Sequence, residues 1–505
     1  MTSTVPPLRI SSEGDLRPEG RWVLYWMTAT RRTRDNYALD RALELARALN
    51  KPLVVVEGLR CGHRWASPRF HRFVLEGMAD NARAFEGTGI LYHPFVERAP
   101  DEGRGLLHAL SEKASAVVAD ESPAFFFPHM LAAARKVVAT RFEAVDSNGL
   151  LPLRASDRER SRAFDFRRLV QKILLDHLGQ PARSHPLRRC SVRPLAQLPA
   201  RIRQQWPAAL LEENSIDLAS LPLDHQVVPV ALKGGSRAGR RVMRRFVKGA
   251  LESYTDMRSH PDVTGTSGLS PYLHFGHVGA REVFDAVMTM EDWSPRRLGL
   301  GCSGSRTGWW GVSASAEAFL DQLVTWRELG FHFCFHRPDH QDYRSLPAWA
   351  RKSLAEHAAD PRPFLYTLEE FETGSTHDPL WNAAQRQLRE TGLMHNALRM
   401  LWGKKILHWS RSPQEAWQIL FALNDRWALD GRDPNSSSGI GWTLGRFDRA
   451  WGPERPVFGK IRFMTSDSAR RKLRLKSWLA NWSEESDLLR GKKEELCPRA
   501  PSDRV

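Results

Sequence analysis

Cysteine is scarce and scattered. Cys61, Cys190, Cys302, Cys334 and Cys497 are the only five in 505 residues. No two form a CxxC pair, so neither an iron–sulfur cluster nor a zinc ribbon is expected. The density is too low for a disulfide scaffold, and reduced thiols in a cytoplasmic protein are the expectation. Long apolar runs are missing as well. None approaches the ~20 residues that span a bilayer, so no membrane partner is expected. Residues 1–20 are polar, carry prolines and lack the apolar segment of a secretory signal, and read as a flexible N-terminus. No repeat of fixed period is present, and no metal site is indicated. Acidic residues are in deficit: 58 Asp and Glu face 74 Lys and Arg, a formal net charge of +16. That balance suits a polyanionic partner, nucleic acid or an acidic membrane surface.

The first 150 residues alternate between strand and helix patterns. Arg21 to Met27, Pro52 to Glu57, Ile90 to Tyr92, Ala116 to Ala119 and Phe142 to Val145 read as strands. Asn36 to Leu49, Pro68 to Phe85, Gly105 to Lys113 and Met130 to Val138 read as the helices between them. Such alternation predicts a doubly wound parallel sheet over 21–150. No GxGxxG follows the first strand, so the dinucleotide fingerprint is absent. Residues 151–223 are basic, helix-forming and broken by prolines, as in an interdomain linker. Residues 224–480 read as almost entirely helical, with a Gly/Ser segment at Gly299 to Gly308 between two helices, and 481–505 as a C-terminal tail. The predicted fold class is thus an α/β N-terminal domain followed by an all-helical C-terminal domain. A monomer is the default state.

Tryptophan is plentiful and unevenly placed: of 18, only Trp22, Trp26 and Trp65 precede residue 200. Trp402 and Trp409 lie seven apart on one predicted helix, hence on one face and about 10 Å apart along its axis. Trp381 follows the helix start Asp378–Pro379, an N-cap carboxylate and a proline at the first helical position. Spacing alone leaves two readings open, core packing or a chain of oxidisable rings. Asn396 and Arg399 share a helical face, and Asp430 is a candidate acidic partner for Arg399. Thr264 to Ser270 (TGTSGLS) offers hydroxyls and a flexible backbone ahead of a helix, either a plain loop or a phosphate site. Arg470 to Lys476 (RRKLRLK) puts five cations in seven residues, a solvated face or a phosphate-binding surface.

Several segments together resemble the photolyase/cryptochrome superfamily, most closely class II cyclobutane pyrimidine dimer photolyases. They are SGLSPYLHFGHV (267–278), GWWG (308–311), TWRELGFHFC (325–334), THDPLWNAAQ (376–385), GLMHNALRMLWGKKILHW (392–409), LNDRWALDGRDPNSSSGIGW (423–442) and RAWGPERPVFGKIRFM (449–464). The resemblance implies bound FAD in the helical domain. Tyr254, Thr266, Ser267, Leu269 and Ser270 would hold its pyrophosphate and ribityl side. Arg327, Asn396, Arg399, Asp430 and Asn435 would surround its rings, and Asn424 would face the flavin N5. Trp402, Trp381 and Trp409 would pass electrons, with Trp402 innermost and Trp409 outermost. The implied partner is DNA containing pyrimidine dimers. Trp326 and Trp442 would wall the pocket for a flipped-out dimer, with Met400 beneath it. The implied activity is light-driven dimer repair. The alternative from another class is a cryptochrome-like photoreceptor with little repair, which would use the same tryptophans.

Two positions depart from the family pattern. Gln322 stands where family members usually have a Glu that hydrogen-bonds the dimer. The neighbouring Asp321 points about 100° away on a regular helix. The change implies slower repair, a different substrate, or a register shifted by one residue. Asp146 to Arg154 (DSNGLLPLR) departs from the class II linker motif, so a deazaflavin antenna, plausible for the class, is not established by this sequence.

Overall fold

A computed structural model describes residues 3–188, 190–212 and 215–483. The expected tail 481–505 and Cys497 therefore fall largely outside the described residues. Two compact units are present. The first takes Met1–Thr255, Thr266–Ser345 and Leu429–Ser438; the second takes Asp256–Gly265, Leu346–Ala428 and Gly439–Val505. These units do not follow the expected boundaries at residues 150 and 223.

In the first unit six strands form one sheet: β1 (Ile10–Glu13), β2 (Trp22–Met27), β3 (Leu53–Leu59), β4 (Leu91–Val96), β5 (Ala114–Glu121) and β6 (Arg141–Asp146). Their order is β1-β6-β5-β2-β3-β4. β2 to β6 are parallel, and β1 runs antiparallel along β6. β2, β3 and β5 are almost wholly buried, as strands covered on both faces must be, which explains their continuous apolar runs. Val23, Tyr25 and Met27 pack beneath α1 (Tyr37–Ala48), whereas Trp22 and Leu24 meet Leu106, Leu110 and Leu131 on the opposite face. Among the described residues no strand follows Asp146; the later regular elements are helices.

The structure corrects two sequence expectations. The N-terminus is not a flexible lead-in: Ile10–Glu13 is the antiparallel edge strand, and Val5 and Arg9 are each 1% exposed. Arg9 donates to the carbonyls of Asp146, Gly149 and Leu150 and lies 4.2 Å over the Tyr37 ring. A single buried cation therefore orders a segment with little apolar pattern. The strand expected at Ile90 to Tyr92 extends to Val96 through Pro94. Its position at the sheet edge tolerates a residue without an N–H.

The chain from β2 runs outward through β3 and β4, while β5 and β6 lie on the other side, so β2 and β5 flank the switch point. Ligands of such sheets bind outside the carboxyl ends at that point, commonly through backbone N–H groups. Here Asp120, at the end of β5, takes those donors. One oxygen accepts from the N–H of Thr28, Ala29 and Thr30, and the other from the Tyr25 hydroxyl. An internal carboxylate thus occupies the place of a phosphate, consistent with the missing glycine fingerprint. Gly276 (φ +69°) closes on the same loop; a Cβ there would lie 2.0 Å from the Ala29 carbonyl oxygen.

The segment after β6 is anchored rather than loose. The Glu328 carboxylate accepts from the N–H of Leu150 (2.6 Å) and Leu151 (3.0 Å). The helix Ala163–Leu178 supplies Arg167, which pairs with Asp321 at 2.8 Å. Burial pushes the Glu328 carboxyl up to about 7, against the pull of the two N–H groups. A carboxyl raised in the folded state adds stability below its unfolded pKa and loses it as pH rises to about 7. Glu328→Gln should lower stability by about 1–3 kcal/mol, because an amide NH2 would face a buried donor. The variant should also lack this part of the decline between about pH 4.5 and about pH 7. Urea midpoints across that range check both expectations.

Candidate functional site

Each unit carries part of the expected site. In the first, the helical stretch over 314–336 is interrupted. Ala314–Leu320 and Arg327–His336 are α-helical, and Asp321–Trp326 between them is a π-turn. Such turns widen the helix, rotate the side chains that follow, and often occur at functional sites. Of residues 321–330 only Gln322 and Trp326 are not buried. They lie four apart, which places both on one outward face. Asp321 is held inward by Arg167, which also donates to the Gly304 carbonyl. Asp321 is therefore committed to an ion pair, and Gln322 is the polar side chain the turn presents. Gly330 allows the following helix to lie close to 434–438, since a Cβ there would meet the Pro434 carbonyl oxygen at 2.9 Å.

Arg327 is buried, donates to the Asn148 carbonyl (2.7 Å) and lies 4.2 Å over the Phe331 ring. Burial lowers its pKa, and Asp433 works against that shift. Asn435, expected near the FAD rings, is exposed, and its N–H donates to Asp433 at the start of Pro434–Thr443. Asp430 is partly buried. Tyr254 is buried edge-on to Phe246 and Phe319. In the loop 266–270, Leu269 is buried as an anchor, Gly268 has φ +65°, and Thr266 and Ser270 are exposed. The Ser267 hydroxyl accepts from the Leu269 N–H. Outward hydroxyls over a fixed backbone fit the phosphate end of a dinucleotide cofactor.

The deazaflavin expectation fares differently. The crevice at the switch point is lined by Thr30, Arg32, Ser147, His274, Arg327 and Asp433 among others, and has a volume of about 30 Å³. Arg32 fills it, donating to the carbonyls of Asp35, Ser147 and Gly276. Such a space accepts a water molecule or two, not a tricyclic ring. The residues in this crevice do not fit a deazaflavin.

In the second unit the three expected tryptophans form a column. Trp381 and Trp402 are stacked, with ring centroids 6.2 Å apart and planes 5° from parallel. Trp409 meets Trp381 at 6.2 Å and 68°. The Trp381 Nε1–H donates to the Trp402 carbonyl and the Trp402 Nε1–H to Gln385 Oε1, both at 3.0 Å. Asp378 caps the helix Pro379–Thr391 by accepting from the N–H of Leu380 and Trp381, and also accepts from Ser466. Trp409, expected outermost, is itself only 1% exposed. The Tyr366 ring lies 5.7 Å from it and that of His377 4.8 Å, and these two side chains hydrogen-bond each other at 2.7 Å.

On the helix Asn396–Trp409, Asn396 is exposed while Arg399 and Met400 are partly buried. Asn424 is buried and donates to Asp425 (2.9 Å). Trp442 is partly buried, as Trp326 is in the first unit. Arg399 and Asp430, expected as a pair, belong to different units. Arg470, Arg471, Lys472, Arg474 and Lys476 are all exposed, and Arg470, Arg474 and Lys476 line a shallow pocket with Asp262. Among the described residues no cluster could hold a metal ion, and no helix is long and apolar enough to cross a membrane.

Known proteins share this geometry and sequence. Residues 319–418 match the FAD-binding domain of DNA photolyase. A deoxyribodipyrimidine photo-lyase of Methanothermobacter thermautotrophicus is 34% identical over 478 residues, spanning 92% of this chain and 95% of that protein. The chain belongs to the photolyase/cryptochrome family. A class III photolyase from Agrobacterium tumefaciens shares the fold, with a TM-score of 0.65 at 17% identity over 95% of this chain and 90% of that one. A Synechocystis cryptochrome does so with a TM-score of 0.66 at 16% identity, over 92% and 88%. FAD is the cofactor of this photolyase chain.

Sequence reasoning missed Gln385, which fixes Trp402, and Lys404, a buried cation two residues beyond that indole. Gln385 could have been found four residues after Trp381, on the same helical face. Lys404 stands beside Lys405, and nothing in the local sequence marks one of the two as buried. Trp381→Phe should leave FAD content unchanged and block photoreduction of the oxidised flavin by an external thiol. Absorbance during illumination measures it.

Proposed function

We propose that this photolyase repairs cyclobutane pyrimidine dimers in DNA under light, as a class II enzyme. The observation that carries the reading is the π-turn that turns Gln322 and Trp326 outward together while every neighbour from 321 to 330 is buried. An indole and a carboxamide side by side suit a flipped pyrimidine, one stacking and the other pairing with carbonyl oxygens or ring N–H groups. Trp442 would be a second aromatic wall and Met400 a polarisable contact beneath the lesion.

Bound FAD supplies the light absorption and the electron. Tyr254, Thr266, Ser267, Leu269 and Ser270 would hold its phosphates and ribityl chain. Arg327, Asn396, Arg399, Asp430 and Asn435 would bind its rings, and Asn424 would orient the redox edge. Trp402, Trp381 and Trp409 keep the cofactor reducible by relaying electrons inward. Gln322 can orient a dimer but carries no ionisable proton, so the residue positions rather than protonates. The exposed cations of 470–476 and the net charge of +16 suit a grip on phosphates without sequence preference.

A cryptochrome-like photoreceptor is the second reading, favoured by one observation: Gln322 lacks the carboxyl usual in repair enzymes of the family. The two readings part in one assay. Prereduced protein is mixed with an oligonucleotide holding a thymine dimer and illuminated with near-ultraviolet or blue light. Recovery of the thymine absorbance is expected. No recovery from protein that binds the oligonucleotide would overturn the repair reading. A parallel sample with a six-four lesion should remain unchanged. Gln322→Glu should raise the repair yield; an unaltered yield would mean the residue does not touch the dimer.

A further inference from the structure

Lys404 is fully buried on the helix Asn396–Trp409. Its ammonium donates to the Thr443 carbonyl at 2.7 Å and lies 4.7 Å from the centre of the Trp442 indole. Arg462 lies over the same indole at 5.5 Å and over Trp451 at 3.9 Å. Arg449 lies over Trp451 at 4.4 Å. Cation and indole thus alternate through five rungs: Lys404, Trp442, Arg462, Trp451 and Arg449. The ladder runs from a buried end to an exposed one, since Arg462 and Trp451 are partly exposed and Arg449 is on the surface.

Its members come from separate stretches of the second unit and are locked together. Asp448 binds Arg462 (3.1 Å) and accepts from the Trp451 Nε1–H and the Arg449 N–H. The loop that carries them is pinned from below: the Lys460 N–H donates to Ser353, the Val457 N–H to Asp360, and the Trp451 N–H to the Lys460 carbonyl. The backbone turns sharply just after Trp442, with Gly445 at φ +105° and Phe447 at φ +62°. Positive φ at a bulky residue such as Phe447 is uncommon and persists only where the surroundings enforce it.

We propose that Lys404 is a positioning residue for Trp442, rooting a cation–indole ladder that holds this pocket wall in register and presents Arg449, Trp451 and Arg462 to a damaged DNA strand. The proposal deepens the repair reading and rests on it. Aromatic rings interleaved with cations are how proteins hold unpaired nucleic-acid strands, through stacking and charge together. A surface grip alone would treat damaged and intact DNA alike. A ladder that fixes the pocket wall acts on the ratio between them.

The buried end makes the device sensitive to pH. Burial lowers the Lys404 pKa to about 7, with Asp448 raising it and Arg462 lowering it further. The ammonium is present below about 7 and lost above, so the innermost contact with the indole weakens as pH rises.

One set of measurements tests the ladder with and without DNA, on the FAD-loaded full chain. The emission difference between wild type and Trp442→Phe, followed without DNA from about pH 6 to about pH 9, should show a transition near 7. Lys404→Met should abolish it, and Arg462→Gln, which removes a repelling cation, should move it upward. The affinity ratio for thymine-dimer over undamaged duplex should fall about tenfold in Lys404→Met at low pH. In wild type the ratio should fall similarly as pH rises, with undamaged binding little changed. FAD content and a cooperative melt verify that each variant folds. No emission transition in wild type, or a wild-type ratio in Lys404→Met, overturns the ladder. A transition without any preference for dimer DNA overturns the repair reading, and with it the role of Lys404 in damage recognition.

Discussion

The second unit depends on burying large rings that carry an N–H. Trp381 is 1% exposed and Trp402 3%, so neither indole nitrogen can rely on water. Leaving one unpaired would cost about 1–3 kcal/mol. The Trp402 carbonyl and the Gln385 amide meet that demand, and in doing so they fix the two rings face to face. Further layers hold the arrangement. Gln385 is itself bound to the Glu372 carbonyl, and Asp378 ties the start of one helix to Ser466, with Lys405 3.8 Å away. The spacing of the two rings thus follows from ordinary hydrogen-bond satisfaction.

The first unit meets the corresponding demand with charge. Buried cations and carboxylates replace the apolar contacts that loops cannot supply. Arg9 gathers three carbonyls, Arg32 reaches four more, and Asp120 collects three N–H groups from one turn. Glu328 does the same for the segment after β6. The cost of burying these charges is offset because each is bonded on several sides. One consequence is chemical: a sheet whose switch point could hold a phosphate or a second chromophore is filled by its own side chains.

Much of this was legible in the sequence. The five parallel strands are visible as apolar runs, and the Asp378–Pro379 start appears as read, with the carboxylate on the N–H of Leu380 and Trp381. The tryptophan column followed from seven-residue spacing and the family motif. Other features leave no local trace. Ile10–Glu13 has two serines and a glutamate, so its strand is set by pairing with β6 and by Arg9, not by pattern. The π-turn at 321–326 looks like unbroken helix in sequence; only the Arg167–Asp321 pair, 154 residues apart, marks the rotation. Lys404 was hidden because a lysine beside a lysine signals solvent, whereas its partners Trp442 and Asp448 lie about 40 residues on.

The charge excess has become specific in two places, the exposed run 470–476 and the ladder that ends at Arg449. The central claim is light-driven reversal of a dimer, and counting the product tests it most directly. A duplex with one defined thymine dimer is incubated with prereduced protein in light and in darkness, then digested and separated by chromatography. The account predicts that the dimer disappears in light with an equal gain of intact thymine, and persists in darkness. A dimer that persists in light while bound to the protein would contradict it.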